Sequence, residues 1–143
     1  MQFKTKTDFK KLAVISARLA HAKKAENIKL IDLGGHSPLA DYVILATVDS
    51  APQLEAVEAE ISKRLKEDAI YKLHMDGSKS NQWRVLDYGG FIVHLMTPDI
   101  RLFYGLDRIY HFGKEIKWRP VSRAGKPAPK KRAKTVKNTV KRG

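Results

Sequence analysis

The chain has 143 residues, with 28 lysines and arginines against 15 acids and no cysteine. That length suits one domain with its own core, and the lack of cysteine excludes a disulfide framework, a thiolate zinc site and a cysteine nucleophile. No run approaches the roughly 18 apolar residues of a membrane span, and the start, MQFKTKTDFKK, lacks the apolar core of a secretory signal, so a cytoplasmic or organelle-matrix setting is expected.

Residues 7–25 read as a helix. Phe9, Leu12, Ile15, Ser16, Leu19 and Ala20 recur on one face at helical spacing, with Lys10, Lys11, Lys23 and Lys24 mainly off it. A short strand follows at about 28–33 and is broken by Gly34-Gly35-His36-Ser37-Pro38. Asp41 to Val48, DYVILATV, is apolar nearly throughout, as a strand covered on both faces would be. Ser50 then caps a second helix, and Gln53 three residues on completes a capping box. Leu54, Val57, Ile61 and Leu65 form its buried stripe. Residues 70–75 suggest a short third strand, and 76–81 a polar loop.

The segment from Trp83 to Tyr110 carries the densest signals. A two-residue Gly89-Gly90 turn predicts a hairpin, because glycine accepts positive φ freely. That register pairs Tyr88 with Phe91, Leu86 with Val93 and Arg84 with Leu95 on one face. On the other it pairs Asp87 with Ile92, Val85 with His94 and Trp83 with Met96, so that His94 is a diagonal neighbour of Asp87 and Trp83. Thr97-Pro98-Asp99 starts a helix as cap, first-turn proline and dipole-favouring acid. Gly105 interrupts that helix, and 106–110 form another short turn. On this helix Arg101, Tyr104 and Arg108 are expected to share an exposed face, with Ile100 and Phe103 pointing elsewhere.

The positive charge is unevenly placed. Residues 114–143 hold twelve basic residues and one acid, Glu115, for +11, leaving +2 for residues 1–113. The division expected is a folded domain over 1–113 and a basic tail over 114–143, disordered on its own. The tail is either a solubilising extension or an arm for nucleic-acid phosphate, with Lys126, Lys130, Lys131, Arg132 and Lys134 as its contacts. The element order indicates an α/β (α+β) domain, a mixed β-sheet flanked by helices.

Enzymatic readings find little support in these residues. The five histidines have no metal-ligand spacing on one helix face, and no HExxH occurs. A nucleotidyltransferase would follow a Gly-rich loop with a strand bearing Asp-x-Asp. Here Asp41 is present but Val43 stands where the second acid belongs, and one carboxylate cannot organise a two-metal site. Asp87 and His94 admit three readings: a catalytic dyad lacking a nucleophile, a hydrogen-bonded pair within the sheet, or part of a docking face. Trp83, Tyr88, Phe103 and Tyr104 suit either a core or an interface.

The segments Ala40-Asp41-Tyr42-Val43-Ile44-Leu45-Ala46-Thr47, Trp83-Arg84-Val85-Leu86-Asp87-Tyr88-Gly89, Val93-His94 and Arg101-Leu102-Phe103-Tyr104-Gly105-Leu106 resemble the ribosomal silencing factor, or Iojap, family over roughly residues 7–111. The resemblance implies a small α/β domain distantly similar to nucleotidyltransferases but without their activity, with no cofactor and no small-molecule substrate. It implies a translational repressor that binds the large ribosomal subunit through ribosomal protein number fourteen. There it would block subunit association under nutrient limitation; mitochondrial relatives act in large-subunit assembly. The docking residues it implies are Trp83, Asp87, Tyr88, His94, Arg101, Tyr104 and Leu106, with Tyr88 at the exposed rim beside the turn. The rivals are a ribosome biogenesis factor, a nucleotidyltransferase-like enzyme and a general RNA-binding protein; a homodimer stays open. Three features depart from the family pattern. Gly90 replaces an Asp, Val48-Asp49-Ser50-Ala51-Pro52-Gln53 replaces a segment with Arg and His, and the 114–143 tail is an addition.

Overall fold

The central strand pair decides the architecture. In the computed structural model, which describes residues 6–77 and 80–120, β2 (Tyr42–Thr47) is buried at every position and runs parallel to β5 (Phe91–Met96). A strand that is apolar on both sides needs a layer on each face, and the rest of the chain supplies two. Tyr42, Ile44 and Ala46 face one core with Phe91, Val93 and Leu95. Helices α1 (Lys6–Ala22) and α2 (Ala51–Lys66) cover that side. Val43, Leu45 and Met96 face the other core, which is closed by the short helices α3 (Pro98–Tyr104) and α4 (Leu106–Ile109) through Ile100 and Leu106. The expected mixed sheet is present, with six strands in the order β3 (His74–Asp76), β4 (Trp83–Asp87), β5, β2, β1 (Glu26–Asp32) and β6 (Lys114–Ile116). Among the described residues no helix is long and apolar enough to cross a membrane.

Local chemistry explains most boundaries. Helix α1 ends at Ala22, three residues before the predicted end, because Lys24 turns left-handed at φ 73° and the Ala25 N–H closes back on the Ala20 carbonyl at 3.0 Å. The helix lays Ala13, Ala17 and Ala20 flat on the sheet, while Ile15 and Leu19 are only half-buried. Helix α2 buries Leu54, Val57, Ile61 and Leu65 as expected. Its Ser50 hydroxyl accepts from the Gln53 N–H, and the Gln53 side chain accepts from the Asp49 N–H, one residue outside a regular capping box. The third strand shrinks to β3, His74–Asp76. Between β4 (Trp83–Asp87) and β5 the register is the predicted one, Trp83 opposite Met96 and Val85 opposite His94. Gly89 sits at φ 92°, and Gly90 lies under the Phe9 ring, where any Cβ would overlap it. Close approach of α1 therefore requires the glycine at position 90.

The predicted boundary at residue 113 is too early. Residues 114–116 form β6 (Lys114–Ile116), an edge strand antiparallel to β1 (Glu26–Asp32), with Ile116 opposite Leu30. Trp118 is buried against the helical core. Its indole N–H donates to the Ile28 carbonyl at 3.2 Å, its carbonyl accepts from Arg18 Nε at 2.7 Å, and His21 packs edge-on to its ring. Residues 121–143, including Lys126, Lys130, Lys131, Arg132 and Lys134, lie outside the described residues.

Because Trp118 closes one end of the core, Trp118→Ala should lower unfolding stability by about 3 kcal/mol. In urea denaturation, truncation after Gly113 should cost at least as much, and truncation after Pro120 should leave the midpoint unchanged.

Candidate docking face

The sheet face opposite α1 and α2 carries a chain of aromatic and imidazole contacts. Trp83 Nε1 lies 3.2 Å from His94 Nδ1. An indole nitrogen only donates, so Nδ1 is the acceptor and the neutral ring carries its proton on Nε2. That proton points at the Tyr110 hydroxyl, 3.2 Å away. Burial pushes the His94 pKa down to about 4, so the acceptor at Nδ1 persists at neutral pH. The far side of the Trp83 ring system meets Tyr104 at a centroid distance of 4.8 Å, and Phe103 packs edge-on to Tyr104 at 4.9 Å. The pairing register and α3 together build a continuous row from Tyr110 to Phe103.

Helix α3 is only seven residues long, too short to hold itself in water. Its ends are fixed by Pro98 in the first turn and by Gly105, left-handed at φ 59°. Thr97 occupies the N-cap position, but its side chain makes no capping bond and its hydroxyl is buried without a partner among the described residues. The tie is Arg101. Its guanidinium binds the Asp107 carboxylate from Nε and Nη2 at 3.1 and 2.9 Å, and Nη1 reaches the Asn27 carbonyl at 2.6 Å and the Thr47 hydroxyl at 2.9 Å. With Arg101 and Ile100 turned inward, the outer side presents Leu102 at 83% exposure, Phe103 at 79% and Tyr104 at 48%. This contiguous apolar exposure makes the α3 face the candidate docking surface.

Several expected site residues therefore take other places. Trp83, His94 and Tyr104 come together. Tyr88 does not join them: it is buried on the opposite face, stacked on Phe91 at 5.1 Å. Its hydroxyl lies beside Ser62 without closing a full hydrogen bond, and burial pushes its pKa up. A residue next to the turn was expected at the rim, but strand alternation puts Tyr88 under the helices. Arg101 is a buried clamp rather than an exposed contact, and Leu106 is core. The Asp87 carboxylate accepts from the Gly89 N–H at 2.8 Å within the turn, while both His94 nitrogens serve Trp83 and Tyr110, so no Asp–His dyad forms. Leu102 was missed, and Phe103, weighed for core or interface, was expected off the exposed face but stands on it; three successive large apolar residues just before Gly105 were the signal available. Val43 is fully buried, so the position of a second acid is core. Among the described residues no cluster of His, Asp or Glu could hold a metal ion.

The family described as "ribosomal silencing factor during starvation" matches residues 6–142. The chain belongs to this family. The match runs past residue 113 into the basic segment. A ribosomal silencing factor of Zymomonas mobilis is 36% identical over 101 residues, 71% of this chain and 75% of that protein. The chloroplastic Iojap protein of Arabidopsis thaliana is 32% identical over 73% of this chain but only 43% of its own length. A crystal structure of a Chromobacterium violaceum protein superposes with a TM-score of 0.67 at 24% identity, over 82% of this chain and 95% of that one, which establishes the shared α+β fold. Family membership makes this chain a ribosome-associated regulator of translation.

The buried imidazole gives a pH signature. The folded pKa of His94, about 4, lies below the ordinary 6.5, so the unfolded chain binds the extra proton first. Stability is full above about pH 6.5 and falls as pH drops toward 4. Between about pH 7 and pH 5 the loss should be about 2 kcal/mol. Urea titrations should show His94→Gln flattening that dependence; an equal slope in the variant would mean that His94 takes up its proton in the folded state.

Proposed function

We propose that the chain binds the large ribosomal subunit through the α3 face, against ribosomal protein number fourteen, and thereby keeps the small subunit from joining. The observation that carries this reading is the exposed run Leu102-Phe103-Tyr104, held on a rigid backing in a chain of the ribosomal silencing family. Large apolar and aromatic groups that are already ordered lose little entropy on binding and are the usual centres of binding energy. Trp83 supports Tyr104 from behind, and His94 fixes Trp83 through the indole N–H. A steric block asks for no bond-making step. It needs an interface of about 1,200–2,000 Å² in total, and its setting is the compartment of the ribosome it engages, the cytoplasm or an organelle matrix.

Co-sedimentation with separated subunits tests the surface. Leu102→Ala and Phe103→Ala should each weaken large-subunit binding about tenfold, or about 1.4 kcal/mol, with unchanged thermal midpoints because both side chains face solvent in the free protein. Undiminished binding by both variants would remove α3 from the interface.

A further inference from the structure

Five of the nine large apolar side chains exposed among the described residues fall between Leu102 and Phe112. Leu102, Phe103 and Tyr104 stand on α3; Ile109 and Phe112, 52% and 44% exposed, come at the end of α4 and just after it. The chain between them crosses the second core, where Leu106 and Tyr110 pack. It runs from one end of β2 to the other. Arg101 holds α3 to Thr47, the last residue of that strand. Phe112 arrives near its first residue, because Lys114 pairs with Asp32 and Asp32 pairs with Tyr42. At about 3.3 Å per residue, six residues of strand separate the two ends by about 17 Å. Ring contacts build the far end. Phe112 packs edge-on to His36 at a centroid distance of 5.7 Å, and the His36 N–H donates to the Leu33 carbonyl at 3.0 Å in the turn after β1.

Area and charge decide what covers this end. Even at about 200 Å² for an aromatic-sized side chain, Leu102, Phe103 and Tyr104 at their exposures offer only about 400 Å². A stable protein interface takes about 800 Å² from each partner, so a protein seated on α3 has to reach beyond it. The groove between α3 and β6 is walled by Lys29, Asp107, Arg108 and Glu115. The other direction has no such charges: residues 34–40 and 109–113 contain no lysine, arginine or acid. Interface cores are depleted in charge and rich in aromatic side chains, and a surface without cations has nothing to offer phosphate.

We infer that the docking face has a second apolar station, Ile109 together with Phe112 seated on His36, and that one protein partner covers both stations at once. That partner presents an uncharged face with two apolar seats about 17 Å apart, the separation of the ends of β2. The inference rests on the docking reading above and adds to it the direction in which the partner lies and the residues it meets there. Leu39 and Leu73, also exposed, belong elsewhere: they line a groove with Phe9 beneath the start of α1.

Co-sedimentation of the full chain with isolated large subunits tests the second station. Ile109→Ala and Phe112→Ala should each weaken binding about fivefold. The two stations are far enough apart for their losses to multiply, so Phe103→Ala combined with Ile109→Ala should bind about 50-fold more weakly than the unaltered chain. Leu39→Ala removes an exposed apolar side chain from the separate groove and should leave binding unchanged. Thermal midpoints are read alongside; Ile109 belongs to neither core, so Ile109→Ala decides the matter where loss of Phe112 lowers the midpoint. Undiminished binding by the folded station variants, or an equal loss from Leu39→Ala, would overturn the second station, while a loss in Phe103→Ala would leave docking by α3 intact. Undiminished binding by the Leu102 and Phe103 variants as well would overturn both.

Discussion

The buried guanidinium of Arg101 is the interaction on which the rest of the proposed docking surface depends. A seven-residue helix has too few internal hydrogen bonds to be stable alone, and its apolar anchors are Ile100 in the core and the Tyr104 ring on Trp83. Arg101 supplies the tie to β1 through the Asn27 carbonyl, to β2 through Thr47 and to α4 through Asp107. A desolvated charge is costly unless its donors are satisfied, and here the planar fork meets an acceptor in each direction it needs. The inward commitment of Arg101 has an outward consequence. With the clamp below, Leu102 and Phe103 are left in solvent, and Tyr104 lies half-exposed over Trp83.

Backing of the aromatic row follows the same economy of contacts. Trp83 is held by a neutral imidazole, and that imidazole is oriented by Tyr110. Burial makes the arrangement self-consistent: it keeps His94 unprotonated, and only the unprotonated ring can accept from Trp83. The Tyr104 ring then rests on Trp83, which is held by the His94 and Tyr110 hydrogen bonds. In the proposed docking role, such preorganisation lowers the entropic cost of association.

Elements with local signals were legible in the sequence. The Gly89-Gly90 turn and the alternation on either side of it specify the β4–β5 register, and the 41–48 segment, apolar nearly throughout, announces a strand with two covered faces. Arg101 was not legible in the same way. Its partners are 74 and 54 residues away in sequence, and a helical projection of the segment alone gives a charged residue to solvent. Edge strand β6 was hidden for a related reason. Lys114-Glu115-Ile116 reads as part of a basic tail because an edge strand buries one side only, and Trp118 within that charged stretch was the clue to its attachment. Tyr88 was misplaced by weighing its nearness to the turn above the two-residue period of its strand.

A subunit-joining assay tests the central claim most directly. Light scattering follows the association of purified small and large subunits, with the full chain added in increasing amounts. Steric occupation predicts dose-dependent loss of joined ribosomes, weakened when Phe103→Asp puts a charge into the apolar face and when Arg101→Met frees α3 from its clamp in a chain that remains folded. Full inhibition by both folded variants, or unimpaired joining in the presence of saturating unaltered chain, would contradict it.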